Sequence, residues 1–350
     1  MLQGQVMFKK ISPLVLAVLL THCAGGSVDK IIHSDERDLP SDLRDKFEVK
    51  DQVMITPQPS PSVTSQPLVL QQEVQKQAQK KKRGKNKKVT VLSSPSIDAP
   101  SPAFAYPNRR PEKDPNWIGE KSVYEITYFG LSAGSFTLET LPIQEMNNRK
   151  VYHIRGNAVS SQVFSMFYRL NDMVESFIDY DSEFSNRFHI LLDETKQQRD
   201  SLELFDSEKQ QTYFWNKWSR KDLPYQETKV YAPMPIFPQD TLSALFYLRT
   251  VPLPIGAKFN FPIVSEGNHW DAEITVVRRE IMTTPMGRIQ TVVLKPETKF
   301  QGVLKRTEGD SFIWLSDDDR RVVVRLEAKV KIGTIVAALR QWSPGNPPAP

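Results

Sequence analysis

Val322-Val323-Val324-Arg325-Leu326-Glu327-Ala328-Lys329-Val330-Lys331-Ile332 is the stretch that decides the fold. Every second residue from Val322 to Ile332 is apolar, and Arg325, Glu327, Lys329 and Lys331 stand between them. A period of two is that of a half-buried strand, because successive side chains leave a strand on opposite faces. Gly333 interrupts the pattern, and Thr334 to Trp342 resumes it as a partner strand. Tyr124, Ile126 and Tyr128 alternate with Glu125 and Thr127, and Phe136 and Leu138 with Ser135, Thr137 and Glu139. Gly130 and Gly134 bracket the turn between these runs, which predicts a hairpin. Similar strands are expected over 150–158, 172–180, 184–193, 198–206, 210–218, 257–265, 270–281, 287–295 and 311–316. Turns at such short intervals predict an all-β, mainly antiparallel sandwich or barrel.

Two segments break the alternation. Asp240 can cap a helix carrying Leu242, Leu245, Phe246 and Leu248. Ser160 or Ser161 can cap a shorter one with Val163, Phe164, Phe167 and Tyr168. Each is expected to lay its apolar side on the sheet.

Outward from this β-rich region, 117–342, the composition changes. All six Trp lie between Trp117 and Trp342, whereas Phe47, Phe104 and Tyr106 are the only aromatics between Ala24 and Asn116. Pro57, Pro59, Pro61, Pro67, Pro95, Pro100, Pro102, Pro107, Pro111 and Pro115 crowd that same stretch. Residues 24–116 therefore read as a long disordered tether, with too little apolar area to offset its ordering entropy. A coil of that length spans roughly 50–60 Å. Residues 343–350 read as a disordered tail.

The formal net charge of +5 is the property of one tract. Lys80, Lys81, Lys82, Arg83, Lys85, Lys87 and Lys88 fall within it, and taking these seven from the 46 basic residues leaves 39 against 41 acidic ones. A basic folded surface is not implied, and nucleic-acid binding is not expected. The run reads as solvated linker or as a contact for anionic lipid or acidic wall polymer.

At the N-terminus, Lys9 and Lys10 precede an apolar run from Ile11 to Leu20, the charged and hydrophobic regions of an export signal spanning 1–23. The run is about half of the ~20 residues a membrane-spanning helix needs. Leu20-Thr21-His22-Cys23 then resembles the lipobox of bacterial lipoproteins, although His22 stands where a small residue is usual. The resemblance implies lipidation of Cys23, the chain's one cysteine, and Ala24 after it implies the outer membrane rather than the inner. The alternative is a plainly secreted or surface protein with an incidental cysteine.

Chemical motifs are sparse. Gly130-Leu131-Ser132-Ala133-Gly134 lacks the Lys-Ser/Thr of a phosphate loop. Asp317-Asp318-Asp319 lacks the glycine and the late glutamate of a calcium loop and reads as a turn. His153, His189 and His269 each stand apart, and no Gly-x-Ser-x-Gly elbow occurs. No catalytic residue, metal or cofactor is expected. Aromatic density is the remaining signal: Tyr213 and Trp215 leave one strand face, Phe214 and Trp218 the other. Such a strand is deeply packed or lines a cavity.

The elements Tyr128-Phe129-Gly130-Leu131-Ser132-Ala133-Gly134, Asp240-Thr241-Leu242-Ser243-Ala244-Leu245 with Tyr247-Leu248-Arg249, Pro285-Met286-Gly287, and Ile313-Trp314-Leu315-Ser316-Asp317-Asp318 occur in this order. Together they resemble the family called domain of unknown function 3108, over 117–342. The resemblance implies exported Gram-negative envelope proteins with a curved-sheet, open barrel-like fold, and no established activity or site residue. Its curved sheet has a loose analogy to carriers of acyl chains.

The expectation is thus a non-catalytic, outer-membrane-tethered periplasmic module that binds a hydrophobic or amphipathic envelope ligand. Trp215, Trp218, Phe136, Tyr128 and Phe246 are its candidate lining. A module contacting wall polymer or anionic lipid through the basic run, and a carboxylate hydrolase, are the alternatives. No protein partner can be named.

Overall fold

The computed structural model describes residues 28, 31, 36–51, 104–299, 310–330 and 332–348. Cys23 and the Lys80–Lys88 run lie outside them. A short helix α1 (Ser41–Phe47) and a two-residue strand β1 (Lys50–Asp51) precede the main sheet. Its first half comprises β2 (Lys121–Tyr128), β3 (Leu131–Met146), β4 (Arg149–Ser160), α2 (Gln162–Ser165), β5 (Asn171–Asp179), β6 (Ser185–Glu194), β7 (Gln197–Asp206), β8 (Gln211–Arg220) and β9 (Leu223–Pro233). After α3 (Thr241–Thr250) come β10 (Lys258–Ser265), β11 (Asn268–Thr284), β12 (Gly287–Lys299), β13 (Phe312–Ser316), β14 (Val323–Lys329) and β15 (Thr334–Ser343).

All of these strands join one antiparallel sheet in the order β10-β11-β12-β13-β14-β15-β2-β3-β4-β5-β6-β7-β8-β9, with β1 added beside β3. The sheet does not close, and it curls so that nearly every strand contributes to one concave core. The fold is therefore the all-β open-barrel architecture that the alternation and the family resemblance anticipate. The free ends, β9 and β10, share no ladder. Side chains and one bridge stitch the gap instead: Glu203 on β7 accepts from the amides of Glu266 (2.7 Å) and Gly267 (2.9 Å) in the β10–β11 turn. Gln239 pairs in parallel with Ile263 of β10.

The decisive stretch forms β14, with one departure. Opposite β13, Leu315 pairs with Val323 and Trp314 with Arg325, so Val324 is the extra residue of a bulge. A bulge reverses the alternation beyond it. Val323 and Leu326 consequently face the concave core, while Val324 packs with Val293 and Trp314 on the other face. The first hairpin also differs from expectation. Its turn is Phe129-Gly130, both at positive φ (51° and 75°), as a two-residue type I′ turn requires. Gly134 instead lies inside β3, where a Cβ would stand 2.2 Å from the Val159 carbonyl oxygen of β4.

Gly156 on β4 answers a side-chain demand rather than a backbone one. A Cβ there would sit 2.6 Å from the Phe136 ring and 2.8 Å from Val174. Overpacking of this kind costs about 1–3 kcal/mol. Gly156→Ala is expected to lower the midpoint of denaturant unfolding accordingly, with an unchanged slope; an unaltered midpoint would show that the Phe136 ring has room to move.

The expected tether needs correction at both ends. Leu39, Leu43 and Phe47 are buried against Met146, Val151, Phe177, Leu202, Leu204, Tyr213 and Trp215 on the face opposite the concave core. Lys46 binds Asp206 at 2.8 Å, and Asp51 pairs with Gln144. Three well-spaced apolar residues, too sparse to build a core of their own, suffice to cover one that the sheet already offers. Downstream, Arg109 donates to the Asp181 carbonyl (2.7 Å), and Asn116 is buried. The predicted tail is likewise paired, since Ile118 and Asn346 exchange two backbone hydrogen bonds of 2.8 Å. Among the described residues no helix is long and apolar enough to cross a membrane.

Candidate functional site

The concave face is the natural place for a ligand in a curved sheet, and α3 occupies it. Asp240 caps the helix: the amides of Leu242 and Ser243 each donate to its carboxylate at 2.7 Å, and its own amide donates to Ser243 Oγ (2.8 Å). Ser176 and Ser185 donate to the other oxygen at 2.6 and 2.5 Å, tying the cap to β5 and β6. Burial pushes the Asp240 carboxyl up, against these four donors. Leu242, Phe246 and Leu248 then enter the concave core. Beside the helix is a cavity of about 10 Å3 lined by Asn116, Tyr152, Ile178, Glu183, Phe246 and Tyr247. It is large enough for one water and not for an acyl chain.

The five candidate lining residues do not converge. Phe136 and Phe246 share the concave core. Tyr128 sits at its end in a smaller cluster with Ala133 and Ile335. Trp218 donates through Nε1 to Gln197 (2.9 Å) and carries the Arg220 guanidinium 4.0 Å above its ring. Trp215 leaves the opposite face, buried beneath α1, with its Nε1 on Glu227 at 2.8 Å. The sequence separates the two faces of β8 correctly, but not what covers each.

Three polar clusters on the strands are paired within themselves. Glu175 binds His153 and Arg155, each at 2.8 Å, and His189 binds Asp200 at 2.8 Å. Asp172 and Glu194 lie together beside Tyr168 and Gln197, and burial pushes both carboxyls up. Among the described residues no group of three or more His, Cys, Asp or Glu side chains is placed to hold a metal ion.

Six of the exposed large apolar side chains gather at one end of the sheet. There the β14–β15 turn, the β2–β3 turn and the β4–β5 connection lie side by side, because their strands are neighbours. They present Ile332, then Phe129 and Leu131, then Val163, Met166 and Phe167. Leu131 is 73% exposed and Phe167 79%. The turns are fastened to one another. Tyr128 donates to the Ile332 carbonyl (2.7 Å), and its ring meets that of Phe129 at a tilt of 58° with centroids 4.4 Å apart. Ser161 caps α2 through the Phe164 amide (3.2 Å), while its own amide and hydroxyl donate to the Ala133 and Ser132 carbonyls.

This corrects the expected placement of the short helix. Phe164 packs toward Tyr128, Ala133 and Ile335, and Tyr168 is buried, but Val163 and Phe167 face solvent. Four helical residues cannot turn every apolar side chain inward. The rim is not legible in the sequence, because apolar residues beside turn glycines, Phe129-Gly130-Leu131 and Ile332-Gly333, look the same whether the turn is covered or bare. Segments 126–135 and 156–168 contain no charged residue. A soluble surface rarely carries such a patch without a partner.

A family model described as "Protein of unknown function (DUF3108)" matches residues 123–340. No curated protein matches the chain. Among solved structures, it is similar to a beta-barrel-like protein of domain of unknown function DUF1849 from Brucella abortus, with TM-score 0.40 and 10% identity over 65% of this chain and 98% of that one. It is also similar to a "putative lipoprotein" from Parabacteroides distasonis, with TM-score 0.29 and 9% identity over 66% and 98% of the two chains. A third is a "putative exported protein with YmcC-like fold" from Bacteroides fragilis, with TM-score 0.26 and 13% identity over 69% and 99%.

Proposed function

This chain belongs to the DUF3108 family, and on that premise we propose that it is an exported, non-catalytic module of the cell envelope. It is anchored to the outer membrane through lipidated Cys23 and engages an amphipathic envelope ligand at the apolar rim. The charged and apolar regions before Leu20-Thr21-His22-Cys23 support export and lipidation. The observation that carries the binding role is the rim itself: six large apolar side chains held in solvent on fastened turns, in a domain whose concave face is filled by α3. The reading moves the ligand from the interior of the sheet to its edge.

Fractionation tests both halves. Cys23→Ser is expected to abolish labelling by fatty acid and to make part of the envelope-bound protein extractable by washing, the rim retaining the rest. The purified Cys23→Ser protein should still bind isolated envelopes, and adding Met166→Ser with Phe167→Ser should weaken that binding at least tenfold. Unchanged acylation would sink the anchor. Equal envelope binding with and without the serine pair would sink the rim.

A further inference from the structure

We infer that the ligand of the rim is the lipid bilayer that holds the protein's own anchor, so that the domain lies against the leaflet on its Phe129–Phe167–Ile332 end. The inference rests on the proposed reading of Cys23 and of the rim, and it adds the partner and the orientation.

Three observations meet here. The first is where the N-terminal chain arrives. The Ile31 amide donates to Gln198 Oε1 at 3.0 Å, at the start of β7. The β6–β7 turn beside it is bonded directly to the rim: the Thr195 amide donates to the Arg169 carbonyl (2.9 Å), the Arg169 amide donates to Thr195 Oγ1 (2.7 Å), and Leu170 bridges Glu194. Ile31 therefore sits at the rim end of the sheet, while α1 carries the chain on toward the opposite end, at Asp206.

The second is reach. Cys23 and Ile31 are eight positions apart. Fully extended, that stretch covers at most about 26–29 Å. The lipid on Cys23 cannot stand a domain off the membrane on such a leash, and the end of the domain it holds nearest is the apolar one.

The third is the chemistry of the surface. Aromatic and aliphatic tips without carboxylates suit the boundary between headgroups and acyl chains, where apolar groups leave water without having to satisfy a buried partner. The charges at the margin are compatible with phosphate headgroups. Arg169 is neutralised by Asp193 (2.7 and 2.8 Å), and Lys329 closes β14 just before the Ile332 turn.

Flotation of the purified Cys23→Ser protein, freed of residues 1–22, with vesicles of phosphatidylethanolamine and phosphatidylglycerol tests the inference without the acyl group or the apolar export signal. We expect rim-dependent flotation, reduced at least tenfold by Met166→Ser with Phe167→Ser and retained in high salt, because insertion rather than charge dominates. The melting temperature of the serine pair should match that of its parent, since both side chains are already exposed. Absence of vesicle binding, together with rim-dependent binding to whole envelopes, would overturn the bilayer as partner and leave a protein ligand at the same rim. Absence of both would remove the rim reading as well. Flotation that the serine pair does not change would also overturn the inference.

Discussion

Glu120→Ala is expected to destabilise the domain by about 3–5 kcal/mol, the cost of leaving a buried charge without its partner. Glu120 lies at the entry to β2. Arg249, at the end of α3, donates to both of its oxygens (3.0 and 2.8 Å), and also to the carbonyls of Pro115 (2.9 Å) and Arg320 (3.0 Å). Arg320 joins the same carboxylate and lies 3.8 Å above the Trp117 ring. The Arg249 and Glu120 side chains are only 2% and 6% exposed. Removing the carboxylate strands two guanidinium groups and frees the helix that fills the concave face. For a domain of this size the loss corresponds to roughly 10 °C in melting temperature. Calorimetry measures it directly, and a fall of less than 1–2 °C would mean that water reaches the cluster. Combining Glu120→Met with Arg249→Met should recover part of the loss, because an apolar pair avoids desolvating ions.

Stability should fall as pH rises from about 5 to 8.5, unlike the pattern set by ordinary ion-paired carboxylates. Burial pushes Glu183 up to about 8, opposed by the Thr250 hydroxyl (2.9 Å) and reinforced by Asp114. Burial likewise pushes Glu203 up to about 7, despite the two turn amides and Thr212 that donate to it. In the unfolded chain both titrate near the ordinary glutamate value. Between that value and the folded one, the native state holds the protons and the unfolded state does not. The stabilisation is thus complete below the unfolded pKa and lost as pH rises through 7 to 8, at up to about 1.4 kcal/mol per pH unit for each group. Glu175 acts in the opposite sense at the acid end. Burial raises it, but His153 and Arg155 outweigh burial and hold it at about 2, so its contribution disappears as pH falls from the ordinary range toward 2. Urea denaturation across pH 2–9 measures both limbs. Glu183→Gln should flatten the alkaline limb by one group's share; a limb of unchanged slope would show that Glu183 is ionised in the folded state at neutral pH.

How much of this is legible in the sequence follows from how local each feature is. Alternation around Val322–Ile332 and the Asp240 cap are written within a few residues, and they place β14, β15 and α3. The bulge at Val324 is not, since it depends on the register with β13. Packing of Leu39, Leu43 and Phe47 is less legible still, because their partners lie up to about 170 residues away, on a sheet face that already needs cover. The site divides in the same way. Trp215 and Trp218 can be assigned to opposite faces by counting. Whether Phe164 or Phe167 meets solvent depends on how a four-residue helix rests on Ala133 and Ser132.

The attachment of the N-terminal segment has a mechanical consequence. Asp51 is laddered to Gln144, and Tyr106 hydrogen-bonds Glu208 (2.5 Å) beneath the Arg149 guanidinium, 4.2 Å from its ring. Residues 52–103, which include Lys80, Lys81, Lys82, Arg83, Lys85, Lys87 and Lys88, leave one pinned point and return to another. A trypsin-like cut within that run severs the peptide but not the clasp formed by α1 and β1. The nicked molecule is then expected to stay together as two pieces, held by Leu39, Leu43 and Phe47 against the sheet.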